Sequence, residues 1–282
     1  MKRIIKKVLI LFLGFLIFLT GQTAAETVKV KREIKSFMKK GVLQEDISTE
    51  EIKYYKVSRE TYYPDEYYRD AFYDGDLQKA GAEGDLFVTR QAPIPDVPLV
   101  YDFVSFYFGG HAAYVGKDNI LYDINGFPSG DETWLKVIFK GGVNTHISST
   151  SNNWLNPNYR QPGEPSYKTF GSYYRKEWIG LRIKGINQEE IDQVSEFMVH
   201  LAEIEAQYNY AFIFFTKNKY YCTDMMSRAF ATIINNDGKP KYNLNRDGVA
   251  VTVNDLILSK DTYISYYVWT DKNNVKHIYY ID

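Results

Sequence analysis

The chain has 282 residues, 45% of them hydrophobic, and a formal charge of −1. That length admits one or two domains, and that apolar content excludes wholesale disorder. With no basic excess, the composition gives nucleic acid no support as a partner.

Lys2, Arg3, Lys6 and Lys7 open the chain, and residues 8–19 form an apolar run broken only by Gly14. Thr23-Ala24-Ala25 then offers small residues before Glu26. A charged start, a short apolar run and a small-residue site make up the pattern of a secretory signal. The run is shorter than the roughly 20 residues that span a bilayer. Residues 1–25 are therefore expected to be a signal peptide, with an uncleaved anchor as the alternative. The mature protein would be secreted or held at the cell surface, touching membrane only through this segment. Losing four cations and no anions takes it to a charge of about −5. The single cysteine, Cys222, cannot form an internal disulfide. Outside the cell a lone thiol is either buried and inert or kept for its reactivity.

Residues 26–81 form an N-terminal extension. Val30, Ile34, Phe37 and Met38 recur at helical spacing, and Gly41 suits the position after the helix end. The tyrosine-dense stretch that follows carries no motif, so packing against the main domain is the expectation for it. From residue 82 the texture changes. Gly84-Asp85-Leu86-Phe87-Val88 predicts a turn into a strand, residues 93–98 a proline-broken loop, and residues 100–108 a buried helix or strand. His111 to Gly116 and Ile120 to Ile124 flank Lys117-Asp118-Asn119, which is a hairpin signal.

Residues 140–176, rich in Gly, Ser, Asn and Pro, predict a long irregular loop flanking a cleft. Within it, Trp154, Tyr159, Tyr167 and Phe170 are expected to pin the loop to the body. A strand is predicted over residues 178–184. Asn187 with Glu190 forms a capping box for a helix bearing Ile191, Val194, Phe197, Met198 and Leu201 on one face. His200 lies beside that face and is expected to be structural or exposed. Met225, Met226, Ala229, Phe230 and Ile233 predict a helix over residues 223–234. Residues 263–269 and 275–281 form a closing hairpin. Hairpins with separate helices predict an α+β fold with an antiparallel sheet.

Cys222 falls where the helix after it begins. A helix N-terminus favours thiolate, and the Cys222 amide is a donor of the kind that acyl-transfer sites aim at an oxyanion. A thiol nucleophile needs a base, and the base needs an acceptor to orient it. His111 opens the first strand of the hairpin and Asp123 lies twelve residues on, so the two can share one face, opposed or diagonal. From spacing alone, a structural His111 stays open.

Gly84-Asp85-Leu86, Gly110-His111-Ala-Ala-Tyr114-Val115-Gly116 and Leu121-Tyr122-Asp123 resemble the front half of the YiiX-like hydrolases, circularly permuted members of the NlpC-type papain-like superfamily. Tyr208-Asn-Tyr-Ala-Phe212, Tyr221-Cys222-Thr223-Asp224-Met225 and Val253-Asn254-Asp255-Leu256 resemble its back half. The resemblance spans about residues 82–260 and implies a permuted papain-like domain over residues 82–282. It implies Cys222 as nucleophile, His111 as general base, and Asp123 as the third polar group where the family usually has Glu. Tyr208 falls on a tyrosine that lines the site or donates to an oxyanion. No metal or cofactor is implied. The implied activity is amide hydrolysis through an acyl-enzyme, with peptide stems of a cell wall as substrate. Acyl transfer or thioester cleavage on lipid is an alternative, as is a wall-binding module without turnover.

Overall fold

Long-range strand pairing and helical spacing are resolved in a computed structural model, which describes residues 2–62, 68–91, 100–107, 109–126, 132–142, 145–156, 175–212, 217–246, 248 and 250–282. Helix α1 (Lys2–Met38) leads into β1 (Gly41–Leu43), β2 (Ile52–Val57) and the single turn α2 (Arg59–Tyr62). Strand β3 (Leu86–Thr89), helix α3 (Val100–Tyr107) and the hairpin β4 (His111–Val115) and β5 (Ile120–Ile124) follow. Next come α4 (Trp134–Lys140), β6 (Ile147–Ser151), β7 (Glu177–Ile183) and α5 (Gln188–Glu203). The short pair β8 (Gln207–Tyr208) and β9 (Lys219–Tyr220) precedes α6 (Cys222–Phe230) and α7 (Val253–Leu258), and β10 (Thr262–Thr270) with β11 (Lys276–Ile281) closes the chain.

Nine strands form one sheet in the order β1-β2-β11-β10-β7-β3-β4-β5-β6. Its neighbouring strands run antiparallel except β11 beside β2, so the fold is a large, mostly antiparallel sheet with several helices, of the α+β kind. Strands β1 and β2 place residues 41–57 of the N-terminal extension in the same sheet as β3 to β5.

Strand alternation sorts the core onto two faces. Ala112 and Tyr114 face α5 and α6, among Ile191, Val194, Met225, Met226 and Phe230. Val30, Ile34 and Phe37 of α1 belong to this same core. Ala113 and Val115 point the other way, with Phe87, Trp154, Trp178 and Tyr266. Burying such side chains is worth about 1.5–3 kcal/mol each. Between the two faces sits Asp85, fully buried, accepting from Arg182 Nε at 2.9 Å and from Arg69 Nη1 at 3.3 Å. Arg182 also donates to the carbonyls of Arg69 and Asp70, which ties the segment before β3 onto the sheet. Burial disfavours the Arg182 cation, but Asp85, with Tyr263 and Tyr266, more than offsets this and holds its pKa above the ordinary value.

The hairpins and the Asn187–Glu190 capping box are present as expected. Three local expectations are corrected. Gly41 is not a helix cap but opens β1 opposite Val57, where a Cβ would come within 2.7 Å of the Tyr279 ring. The stretch 140–176 is not irregular throughout, because residues 147–151 pair with β5 as the sheet's edge strand. The helix after Cys222 ends at Phe230, with Ile233 buried just beyond it. Trp154 pins its segment as expected, 1% exposed against Phe87 and Trp178. Tyr159, Tyr167, Phe170 and the loop 93–98 lie outside the described residues. Among the described residues, no helix is long and apolar enough to cross a membrane.

Candidate active site

His111 is the first residue of β4, pinned by the glycines before it. A Cβ on Gly110 would lie 2.1 Å from the Gln91 carbonyl oxygen and 2.5 Å from that of Thr89. Only glycine lets the end of β3 approach so closely, and the Gly110 N–H then donates to the Thr89 carbonyl at 3.1 Å. His111 pairs with Thr89 on one side of β4. On the other side Ala113 faces Asp123, which makes His111 and Asp123 diagonal neighbours on one face.

Their side chains meet. His111 Nε2 is 2.8 Å from Asp123 Oδ2. A carboxylate only accepts, so Nε2 carries the proton and the basic lone pair of the imidazole is on Nδ1. Ser148 on β6 donates to the other Asp123 oxygen at 3.5 Å. Trp154 lies nearly parallel to the imidazole, with centroids 6.4 Å apart and planes 10° apart. His111 is 4% exposed, so the histidine–carboxylate bond is shielded from water and strengthened by it.

Cys222 is the first residue of α6, half-buried, with Tyr221 in extended conformation at the cap position. The start of this helix is strapped to residue 251. The Val251 N–H donates to the Tyr221 hydroxyl at 2.7 Å, and the Thr223 hydroxyl donates to the Val251 carbonyl at 2.6 Å. Asp224 is buried in the first turn near Arg228, at 3.5 Å. Burial raises its pKa to about 6, with Arg228 working in the opposite direction.

Tyr208 joins the two halves. A Cβ on Gly126, just past β5, would fall 2.7 Å from its ring. Its phenol is held well above the usual pKa, first by burial and then by the neighbouring Cys222, Tyr210 and Tyr221. Tyr208 is thus a neutral O–H donor near the sulfur.

His111 and Asp123 are in direct contact, and Tyr208 lies near Cys222. Helix α6 packs over the Ala112 and Tyr114 face, whereas His111 shares the face of Ala113 and Val115. Sequence reasoning missed Val251, Ser148 and the shielding role of Trp154. Val251 acts through its backbone, which leaves no residue-type signal, and the Ser148 hydroxyl reaches Asp123 only because the register of β6 on β5 sets them side by side. No group of three or more His, Cys, Asp or Glu arranged to hold a metal occurs among the described residues. Comparison with known protein families, with characterised proteins and with solved structures finds no match to this chain.

Proposed function

We propose that the protein is a cysteine hydrolase cleaving an amide bond through an acyl-enzyme, with Cys222 as nucleophile, His111 as base and Asp123 as the group that orients the base. The observation that carries this reading is the 2.8 Å bond from His111 Nε2 to Asp123, which directs basicity to Nδ1. The thiol at a helix N-terminus and the resemblance to the YiiX-like, permuted papain-fold group add to it.

In the proposed cycle, His111 Nδ1 takes the Cys222 proton and the thiolate adds to the substrate carbonyl. The Cys222 N–H and the Tyr208 hydroxyl donate to the oxyanion. The imidazolium then gives its proton to the departing amine as the C–N bond breaks, leaving a thioester. Water, deprotonated by His111, cleaves the thioester to a carboxylic acid and the free thiol. Asp123 carries no proton in the cycle and stabilises the imidazolium. The substrate proposed is a peptide of an exported polymer such as a cell-wall stem, and this rests on the N-terminal pattern and on the resemblance.

The test is incubation of purified chain with wall peptides followed by product mass spectrometry, beside Cys222→Ala. New amine and carboxyl termini that vanish in the variant support the reading. Cleavage that survives Cys222→Ala, or a Cys222 that iodoacetamide does not alkylate at neutral pH, removes it.

A further inference from the structure

We propose that α4 is a docking surface for an anionic phospholipid bilayer, placed beside the catalytic groups. Surface helices normally turn their apolar stripe inward. Helix α4 does the reverse. Leu135, Ile138 and Phe139 are 70%, 40% and 80% exposed, while Val137 on the opposite side is fully buried and anchors the helix. Residues 135, 138 and 139 stand three and four apart, so they form one contiguous outward patch. A clustered apolar surface of this kind marks an interaction site.

Charge selects the partner. Lys136 and Lys140 are exposed on one flank of the patch, four residues apart. Lys136 also reaches Glu132 at 3.3 Å. A second copy of the chain, docked patch to patch, would bring these lysines against their own counterparts. A bilayer of anionic lipid instead meets apolar side chains with its acyl region and lysines with its headgroups. The first half of α1 shows the same pairing. Ile10, Leu13, Ile17 and Phe18 are 57%, 49%, 73% and 65% exposed, and Lys6 and Lys7 are exposed with them. Two segments far apart in sequence thus carry the same combination.

Position gives the patch its meaning. The chain between β5, which bears Asp123, and β6 includes α4, and the cap residue Gly141 lies against Gln207, the neighbour of Tyr208. Docking through α4 would hold the site at the membrane surface. This extends the membrane contact expected of the N-terminal segment alone, and it stands apart from the catalytic reading, since lipid binding needs no thiol.

The experiment uses the full chain and vesicles of phosphatidylglycerol brominated on its acyl chains, read by quenching of tryptophan fluorescence. Trp134 is the first residue of α4; of the other three tryptophans, Trp154 and Trp178 are 1% exposed in the core and Trp269 is half-buried on β10, so Trp269→Phe serves as the background for every variant. Bromine-dependent quenching is expected, and Trp134→Phe should remove most of it. Leu135→Ser/Phe139→Ser should require at least tenfold more lipid for half-maximal quenching, with an unchanged melting temperature because both side chains are already exposed. Lys136→Glu/Lys140→Glu should abolish the preference for phosphatidylglycerol over brominated phosphatidylcholine. Cys222→Ala should bind as the parent does. Equal quenching of the parent, Trp134→Phe and the double-serine variant would overturn the proposal and assign the contact to α1. Loss of self-association in the double-serine variant, with no effect on lipid binding, would overturn it in favour of a second copy.

Discussion

Asp123→Asn tests the core of the site, because it changes one charge and almost no volume. The bond to His111 Nε2 is 2.8 Å long, and the Asp123 side chain is 16% exposed. Two unit charges 4 Å apart at an effective dielectric near 20 attract by about 4 kcal/mol. Partial solvent screening halves this to roughly 2 kcal/mol, or about 30-fold in the rate of a step that forms imidazolium. The amide oxygen of asparagine still accepts from Nε2, so orientation is retained and only the charge is lost. His111→Ala removes the base itself, which is typically worth about 10²- to 10⁴-fold. The assay is the second-order rate of iodoacetamide alkylation of Cys222 from pH 5 to 9. Asp123→Asn should slow it about 10- to 100-fold at pH 7, His111→Ala should slow it at least as much, and Asp123→Glu should retain most of it. Identical profiles for the parent, Asp123→Asn and His111→Ala would refute the reasoning and leave His111–Asp123 as a structural pair.

Asp224 has a raised pKa, near 6 against an ordinary carboxylate value, so between about pH 4 and 6 the folded chain binds more protons than the unfolded one and stability falls as pH rises. The loss is complete above pH 6 and amounts to about 1–3 kcal/mol after discounting for partial exposure; Asp224→Asn should flatten urea midpoints across pH 4–7 and raise them at pH 7. Arg182→Leu leaves Asp85 buried with a weaker partner and should cost about 3–5 kcal/mol, read as a lower urea midpoint together with early proteolysis between residues 68 and 80. Trp154→Ala exposes the histidine–carboxylate bond and empties a core position, so it should lower thermal stability by about 3–5 kcal/mol. If residues 1–25 act as a cleaved signal, exported material should begin near Glu26 by N-terminal sequencing, and material that begins at Met1 would identify them as an anchor instead.

Elements with strong local signals were legible before the structure. Asn187 and Glu190 announce α5 because a capping box satisfies the first amides of the helix locally. The His111–Asp123 hairpin was legible because two apolar runs flank a turn, and the even spacing placed both side chains on one face. Other features depend on partners distant in sequence. Nothing around Gly41 announces that β1 lies under the Tyr279 ring, since that contact spans most of the chain. Residues 147–151, Ile-Ser-Ser-Thr-Ser, read as loop because their polar residues favour turns. As an edge strand they need only one partner, and β5 supplies it. Gly110 before His111 was visible within a motif, but its cause is the backbone of β3 at the same point.

The two halves of the candidate site are held differently. Strand β4 lies inside the sheet with ladders on both sides, and Asp123 and Trp154 fix the imidazole from two further directions. The base is therefore over-determined. Cys222 begins its helix on a strap of two hydrogen bonds to one residue, Val251, and its neighbour Tyr208 sits in a two-residue strand. Catalytic hydrogen bonds in unliganded sites are often long and tighten when substrate binds. In the proposed cycle such an adjustment would fall to the start of α6, which belongs to no ladder of the main sheet, whereas His111 is paired with Thr89 of β3 and bonded to Asp123. In that cycle a substrate carbonyl bound by the Cys222 amide and the Tyr208 hydroxyl would act on the sulfur side, while Asp123 keeps the imidazole oriented throughout.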